Sequence, residues 1–530
     1  MAKDEIEFDL LVVGYGIAGV AAAIEAVDRG GRVLVLDRGH GGGAAGLSGG
    51  VVYAGGGTRH QRAAGEEDTP ENMFAYLRQE TDGVVSDETL RRFCDSSVEM
   101  IDWLEENGAK FDSTLCPYKT SYPTDAHYLY YSGNEKAWPY KEHATPAARG
   151  HRMVAKGLAS GHDLHAALRE TARRKGVEFR PLSRVEELIV EDGTVRGVRY
   201  RRLSPDDPAF AKHKRFAFTG AKLSNWMPAL GYKVAERNDK IWSAAAKPAE
   251  SRARAVLLSA GGFVYNPEMK AEYAGGFIDI QPLGTEGDDG TGIKLGVGAG
   301  GMTDHMERMT AWRFMSPPSA FLKGVTVGPS GARIANEDLY GATHSQAMIE
   351  GHEAKGWLIL DSRIWKEARA QVRSQSLGFQ VLLALYLFTS GHKKAGSIAA
   401  LAKKIDLPPE AVGATIEAYN AGIASGAGDP AHKAPDMCAP IEEGPFYAID
   451  ISIKNSPNYP APGLTLGGLR VDEATGKVLK EGGGTVPGLY AAGRNAIGIA
   501  SNGYISGISL ADGVFSGRRA AADVVGGSSS

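Results

Sequence analysis

The strongest hydrophobic pattern lies near the start of the chain. Phe8, Leu10, Leu11, Val12 and Val13 form a nearly unbroken apolar run, as in a strand buried on both faces of a parallel sheet. Val20 to Val27 follows, Ala-rich and helix-prone, and Arg32 to Leu36 reads as a second strand. Residues 70–110 carry Met73, Leu77, Leu90, Phe93, Met100 and Leu104 at mixed i+3, i+4 and i+7 spacings, which predicts helix with an ordinary core face. Gly161–Arg174 reads as helix and Val177–Phe179 as strand. Val185–Val190 and Val195–Arg201 read as a hairpin turned by Glu191-Asp192-Gly193. Residues 204–250 lose periodicity and read as a surface insertion. Ala255–Ser259 is a further buried strand, and 284–302 ends in a short helix. Val486–Arg494 is a strand ending in small residues, and a last helix opens at Asn502 and runs through Arg518.

The first strand leads into Gly14, Gly16 and Gly19 at G-x-G-x-x-G spacing, and Asp37 ends the second strand eighteen residues past Gly19. The first glycine permits the tight turn, the second lets backbone approach a pyrophosphate, and the third lets helix pack on strand. The helix N-terminus then faces the phosphates, and the acid can accept ribose hydroxyls. An ordinary glycine-rich turn is the plainer reading, but it does not call for strand, helix, strand and acid in this register. A second glycine-rich loop, Gly41 to Gly50, favours a flavin over a nicotinamide, because pyrophosphate and ring both need close backbone contact. The glycines at 296–301 follow a helical stretch rather than a strand, so they are not read as a second dinucleotide loop. The chain is therefore read as α/β: a discontinuous, Rossmann-like cofactor domain (1–302 and 436–530) with an inserted α+β cap (303–435). Gly526–Ser530 is expected to be a disordered tail.

Composition narrows the classes. The 69 glycines are about 13% of the chain against a usual ~7%, and they cluster in short motifs. A net charge of -4 gives no reason to expect nucleic acid or an anionic membrane as a partner. Cys94, Cys116 and Cys438 lack any C-x-x-C, so no metal site is read, and neither a disulfide scaffold nor a redox disulfide. The acidic N-terminus shows no signal-peptide pattern, and a cytoplasmic setting is the default. The longest apolar run, Val381–Phe388, is too short for a transmembrane span. It is read as a buried cap helix, with weak membrane association as the alternative. Tyr118, Tyr122, Tyr128, Tyr130, Tyr131, Trp138 and Tyr140 crowd one aperiodic stretch. That stretch either lines a pocket for a flat apolar ligand or is a surface excursion pinned by aromatic contacts.

Taken together, G-x-G-x-x-G with Asp37, the loop 41–50, Ala260-Gly261-Gly262-Phe263, Asn336-Glu337-Asp338 and Pro487-Gly488-Leu489-Tyr490-Ala491-Ala492-Gly493 resemble the fumarate reductase/3-ketosteroid dehydrogenase superfamily of FAD proteins. The resemblance implies FAD, held by Gly14, Gly16, Ile17, Ala18, Gly19, Asp37, Arg38, Gly43, Ala44, Ala45, Ser48, Gly49, Gly50, Val185, Ala260, Gly261, Gly262, Asn266, Asp289, Gly290, Gly493, Arg494, Gly503, Ser506, Gly507 and Ile508. It also implies non-covalent binding, since Gly43 stands where relatives carry a flavin-linked His. Backbone N–H groups of Gly503 to Ser506, at the expected helix start, are read as facing flavin N1 and O2.

Dicarboxylate reductases of the superfamily need cations for two carboxylates. Here the matching positions hold Tyr340 and Ser501-Asn502-Gly503-Tyr504-Ile505-Ser506. The Tyr504-x-Ser506 pair with Tyr340 is similar to the 3-ketosteroid Δ4-(5α)-dehydrogenase branch. That branch implies catalysis by Tyr340, Tyr504 and Ser506: proton removal at C4 of an apolar ketosteroid and hydride transfer from C5 to flavin N5, giving the 4-ene-3-one. Their division of roles stays open, as does the external electron acceptor. The alternatives are a Δ1-dehydrogenase, an ene-reductase of a small unsaturated acid using Arg149, Arg152, Arg333 or His344, and a flavin or steroid carrier without turnover.

Overall fold

The computed structural model describes residues 6–224, 228–454, 456 and 458–526. Strand Phe8–Val13 lies inside the main sheet, and Leu10, Leu11 and Val12 are wholly buried. It pairs in parallel with Val33–Leu36 on one side and with Lys247–Leu258 on the other. The sheet continues outward in parallel to Glu178–Arg180 and to Thr485–Ala491, whose far edge carries antiparallel Lys477–Leu479.

Lys247–Leu258 is longer than the expected strand at 255–259 because it serves two partners. Its second half pairs with Phe8–Val13, and its first half pairs antiparallel with Thr194–Arg202, itself half of the hairpin with Ser183–Glu191. The alternation Arg252-Ala253-Arg254-Ala255 marks the part with one covered face. Between these strands the expected aperiodic insertion is instead a pair of helices, Pro208–Ser224 and Pro228–Ala245. Their periodicity is weak in sequence because they pack mainly on each other. The second is anchored by Trp242, whose Nε1 donates to Leu182 O at 2.9 Å, over a small core of Leu182, Leu203 and Ala246.

The region 70–110 forms three helices, Pro70–Thr81, Asp87–Asp95 and Ser97–Glu106. The last helix is Ile508–Gly526, so residues 502–507 precede it as a loop instead of forming its first turn. The tail expected at Gly526–Ser530 lies, beyond Gly526, outside the described residues. This helix packs on helix Ile17–Asp28 through Gly513 and Gly517. A Cβ there would stand 2.5 Å from Ile17 Cγ2 and 2.3 Å from Ala18 O. That close approach brings the end of the chain to the first glycine turn.

A second core covers the middle of the chain around an antiparallel sheet ordered Val325–Val327, Trp357–Leu360, Phe446–Asp450, His392–Ala395. Phe446–Asp450 carries this sheet past the expected boundary at 435. Helix Gly378–Thr389 is not the buried cap helix expected for 381–388, since Phe379, Leu382 and Leu385 are exposed. Among the described residues no helix is long and apolar enough to cross a membrane.

Candidate active site

The first glycine turn shows which glycines serve the protein and which leave room. A Cβ at Gly14, where φ is +102°, would meet Ser259 O at 2.6 Å, and one at Gly19 would meet Gly14 O at 2.1 Å. One at Gly16 would meet nothing within 4 Å, as expected where backbone lies open to a phosphate. Gly43 comes against Gly16, a Cβ there standing 3.5 Å from Gly16 Cα, so the two glycine loops form one cradle. Asp37 Oδ2 accepts the Tyr15 N–H at 2.8 Å and Oδ1 accepts the Gly39 N–H at 2.7 Å and the Gly41 N–H at 3.4 Å, which leaves capacity on Oδ2 for a ribose hydroxyl. Arg38 reaches Asp289 at 2.5 Å and Glu286 O at 3.2 Å, bringing 286–290 to the cradle's rim.

Not every expected cofactor residue offers a free group. Asn266 caps helix Pro267–Tyr273 by accepting the Glu268 and Met269 N–H groups and donates to Asp289 O, so its polar atoms serve the fold. Gly49 and Gly50 are required by Tyr122 and the Ser160 backbone, which a Cβ would approach to 2.4 and 2.3 Å. Ser506 N–H donates to Ser132 O at 3.1 Å and is not the free donor expected for a flavin. Gly507, with φ +94°, packs on the Tyr53 backbone, and Ile508 and Val185 are buried core. Arg494 donates to Asp288 at 2.6 Å, while its Nη1 and the Ser509 hydroxyl are buried without a protein partner. Those two donors, the open face of Gly16 and the Asp37 lone pairs fit a dinucleotide with a polar ring edge.

Tyr340 stands at the N-cap of helix Gly341–Gly351, buried, its N–H donating to Asn134 Oδ1 at 2.6 Å. Its phenol faces Tyr504, Trp312 and Ser506; burial, then the Tyr504 phenol beside it, raise its pKa far above the usual range. Tyr504 packs edge-on against Trp312 with centroids 4.5 Å apart. Burial raises its pKa too, opposed by the Arg494 cation. Ser506 Oγ shares a 2.9 Å hydrogen bond with Tyr130 OH, and Ser132 Oγ donates to Ser506 O at 3.0 Å. The structure thus gathers the three expected residues and adds Tyr130, Ser132, Asn134 and Trp312. The first three of these belong to the tyrosine-rich stretch, which is a wall of the site and not a surface excursion; its aromatic density was one signal of this in the sequence.

The four cations weighed for a carboxylate substrate are all committed elsewhere. Arg149 pairs with Asp68 at 2.8 Å, Arg152 with Asp125 at 2.7 Å, and Arg333 with Glu337 and Asp429. His344 meets Thr326 at 2.9 Å, and burial lowers its pKa to about 4. One amine does stand beside Tyr340. Lys119 lines the same small pocket with Tyr340 and Met315, hydrogen-bonds to Gly133 O, and has its pKa lowered by burial.

The chain belongs to the FAD binding domain family, whose description matches residues 9–510. It is 39% identical over 505 residues to a 3-oxo-5-alpha-steroid 4-dehydrogenase of Comamonas testosteroni, covering 93% of this chain and 94% of that one. Its structure is similar to the 3-ketosteroid-delta4-(5alpha)-dehydrogenase of Rhodococcus jostii RHA1, crystallised with 4-androstene-3,17-dione. The TM-score is 0.83 at 31% identity, over 99% of this chain and 98% of that one. The 3-ketosteroid delta1-dehydrogenase of Sterolibacterium denitrificans shares the fold, with a TM-score of 0.68 at 18% identity over 98% and 99% of the two chains.

Proposed function

We infer that this protein is an FAD-dependent oxidoreductase that desaturates a 3-ketosteroid between C4 and C5. The observation that carries the reading is a continuous group of hydroxyls where a carboxylate-binding enzyme would need free cations: Tyr340 and Tyr130, both buried, with half-buried Ser506 between them, while Lys119 beside Tyr340 is turned to Gly133 O. The glycine cradle, Asp37, Arg494 and Ser509 would hold FAD without a covalent bond, and the flavin bound there would supply the hydride acceptor.

The residues divide the remaining work by their surroundings. A phenol raised by burial is protonated at neutral pH, so Tyr340 takes the C4 proton only as its own proton moves on. Ser506, hydrogen-bonded to Tyr130, offers that onward path. Tyr504 has the Ser509 hydroxyl as its neighbour instead. It lies beside the Arg494 charge, which makes its phenol the stronger donor to the C3 carbonyl as that oxygen gains negative charge. Trp312 and Tyr504 present an apolar wall suited to a flat ring system.

The test is turnover of 5α-androstane-3,17-dione by the Tyr340→Phe, Tyr504→Phe and Ser506→Ala holoenzymes. Loss of a positioned acid or base costs on the order of 10²–10⁴ in rate, so each phenylalanine variant should fall at least a hundredfold with flavin content unchanged. Near-normal rates in all three variants, or brisk fumarate reduction by the wild type, would overturn the reading.

A further inference from the structure

Helix Gly378–Thr389 has two unlike faces. Gln380, Ala384 and Leu387 are buried against the cap, whereas Phe379, Leu382 and Leu385 are 47%, 56% and 58% exposed. Spaced at i, i+3 and i+6, these three fall within an arc of about 120°, nearly opposite the buried set. A ridge of large apolar side chains on one exposed helix differs from the scattered singles normal on a surface.

The flanking elements are basic. Helix Ser362–Gln375 on one side exposes Lys366, Arg369 and Arg373; strand His392–Ala395 and the helix after it expose Lys393, Lys394 and Lys404. The only acid from 362 to 404 is Glu367, which Lys323 engages at 2.7 Å. Among the described residues, none of those six cations forms an ion pair. This excess sits in a chain of net charge -4, so it is local. The start of the helix also reaches towards the site: Leu377 packs against the cluster of Val51, Cys116, Tyr122 and Tyr130, and Gln380 Nε2 donates to Tyr122 O at 3.4 Å.

We propose that this face docks on an anionic phospholipid bilayer, with Phe379, Leu382 and Leu385 entering the acyl boundary and the surrounding lysines and arginines over the phosphates. An apolar ridge inside a cationic collar is the pattern of an interfacial helix. A second copy of this chain is the competing occupant, but a symmetric pairing would set one cationic collar against another. Docking itself does not depend on the steroid assignment. Its consequence does: an apolar ketone dissolved in the bilayer would enter beside the Tyr122–Tyr130 wall.

The test is co-sedimentation of the holoenzyme with vesicles of phosphatidylcholine alone or with about 30% phosphatidylglycerol. Binding is expected to the anionic vesicles, to weaken at about 0.5 M salt, and to fall roughly tenfold or more in Leu382→Ser/Leu385→Ser and in Lys393→Glu/Lys394→Glu. Turnover of dissolved substrate should stay at the wild-type level in both variants, which reports intact folding and separates failure of docking from failure of the assigned reaction. The proposal is overturned by absence of binding to anionic vesicles, by unchanged binding in both variants, or by a dimer in lipid-free buffer that Leu382→Ser/Leu385→Ser dissociates.

Discussion

Glu337 and Glu80 are both buried and both support the Tyr340 segment, but their surroundings are opposite. Glu337 accepts from Arg333 at 2.6 and 2.9 Å, from Lys433 at 2.8 Å, and from Thr326 N and Oγ1. Burial alone would raise its pKa; the Arg333 charge, then Lys433, hold it at about 2. Glu80 has no such cation in contact. It accepts from Tyr76 OH at 2.5 Å and Asn134 Nδ2 at 2.8 Å, and burial leaves its pKa at about 7. Neighbouring charge, more than depth, separates an ionised clamp from a carboxyl that titrates near neutrality. The Asn336-Glu337-Asp338 motif is thus a structural anchor for the Tyr340 segment, whereas Glu80 belongs to a hydrogen-bonded scaffold that titrates near neutrality.

Removing the clamp should have the largest effect on stability. Glu337→Gln leaves Arg333 and Lys433 buried with Asp429 as their remaining acid, and breaking such a buried pair costs about 3–5 kcal/mol. Denaturation of the holoenzyme should show that loss, and Lys433→Met added to Glu337→Gln should recover part of it, because the stranded ammonium is then gone. A fully stable Glu337→Gln would mean the clamp is not what holds this segment.

A smaller effect, but one on rate, is expected at the hinge between the two networks. Asn134 accepts the Tyr340 N–H at 2.6 Å and donates to Glu80 and Thr343, each at 2.8 Å, and its own N–H donates to Tyr76 OH. Asn134→Ala removes the side-chain bonds and leaves a buried N–H unpaired, at about 1–3 kcal/mol. If Asn134 positions Tyr340, kcat should drop about tenfold with KM nearly fixed. A proportional loss of folded protein with normal kcat would mark Asn134 as merely structural.

The cofactor half was more legible in the sequence than the substrate half, for a physical reason. Gly14 and Gly19 are glycines because a Cβ would strike backbone a few residues away or on the next strand, so the requirement is written into a short local motif. Tyr340 is locally an ordinary residue before a helix. What makes it notable is contact with Ser506, Trp312 and Asn134, drawn from three distant segments. Resemblance could point to it, but periodicity could not. Glu80 was less visible still, one of two acids on its helix, made unusual by burial and by Asn134 arriving from a distant segment. The paired helices of 208–245 escaped notice because they share only a small core around Trp242. The last helix was placed six residues early because Asn502 and Ser506 resemble cap residues but are used elsewhere: Asn502 Nδ2 donates to Glu80 O, and Ser506 N–H to Ser132 O.

The smallest expected effect is the sharpest test of the contrast, because the two glutamates bias stability oppositely with pH. For Glu337 the folded pKa of about 2 lies below the ordinary 4.5, so its stabilisation is complete above 4.5 and fades as pH falls towards 2. For Glu80 the folded pKa of about 7 lies above 4.5. The folded state then holds a proton that the unfolded state has released, and stability declines as pH rises from 4.5 to 7. Glu80→Gln keeps a carbonyl oxygen for Tyr76 and Asn134 and removes the proton, so it should flatten the denaturation midpoint across that window. The variant should overtake the wild type above pH 7, with an advantage of roughly 1–3 kcal/mol. Parallel pH curves for the two proteins would place a counter-charge near Glu80 and remove the distinction between the two carboxyls.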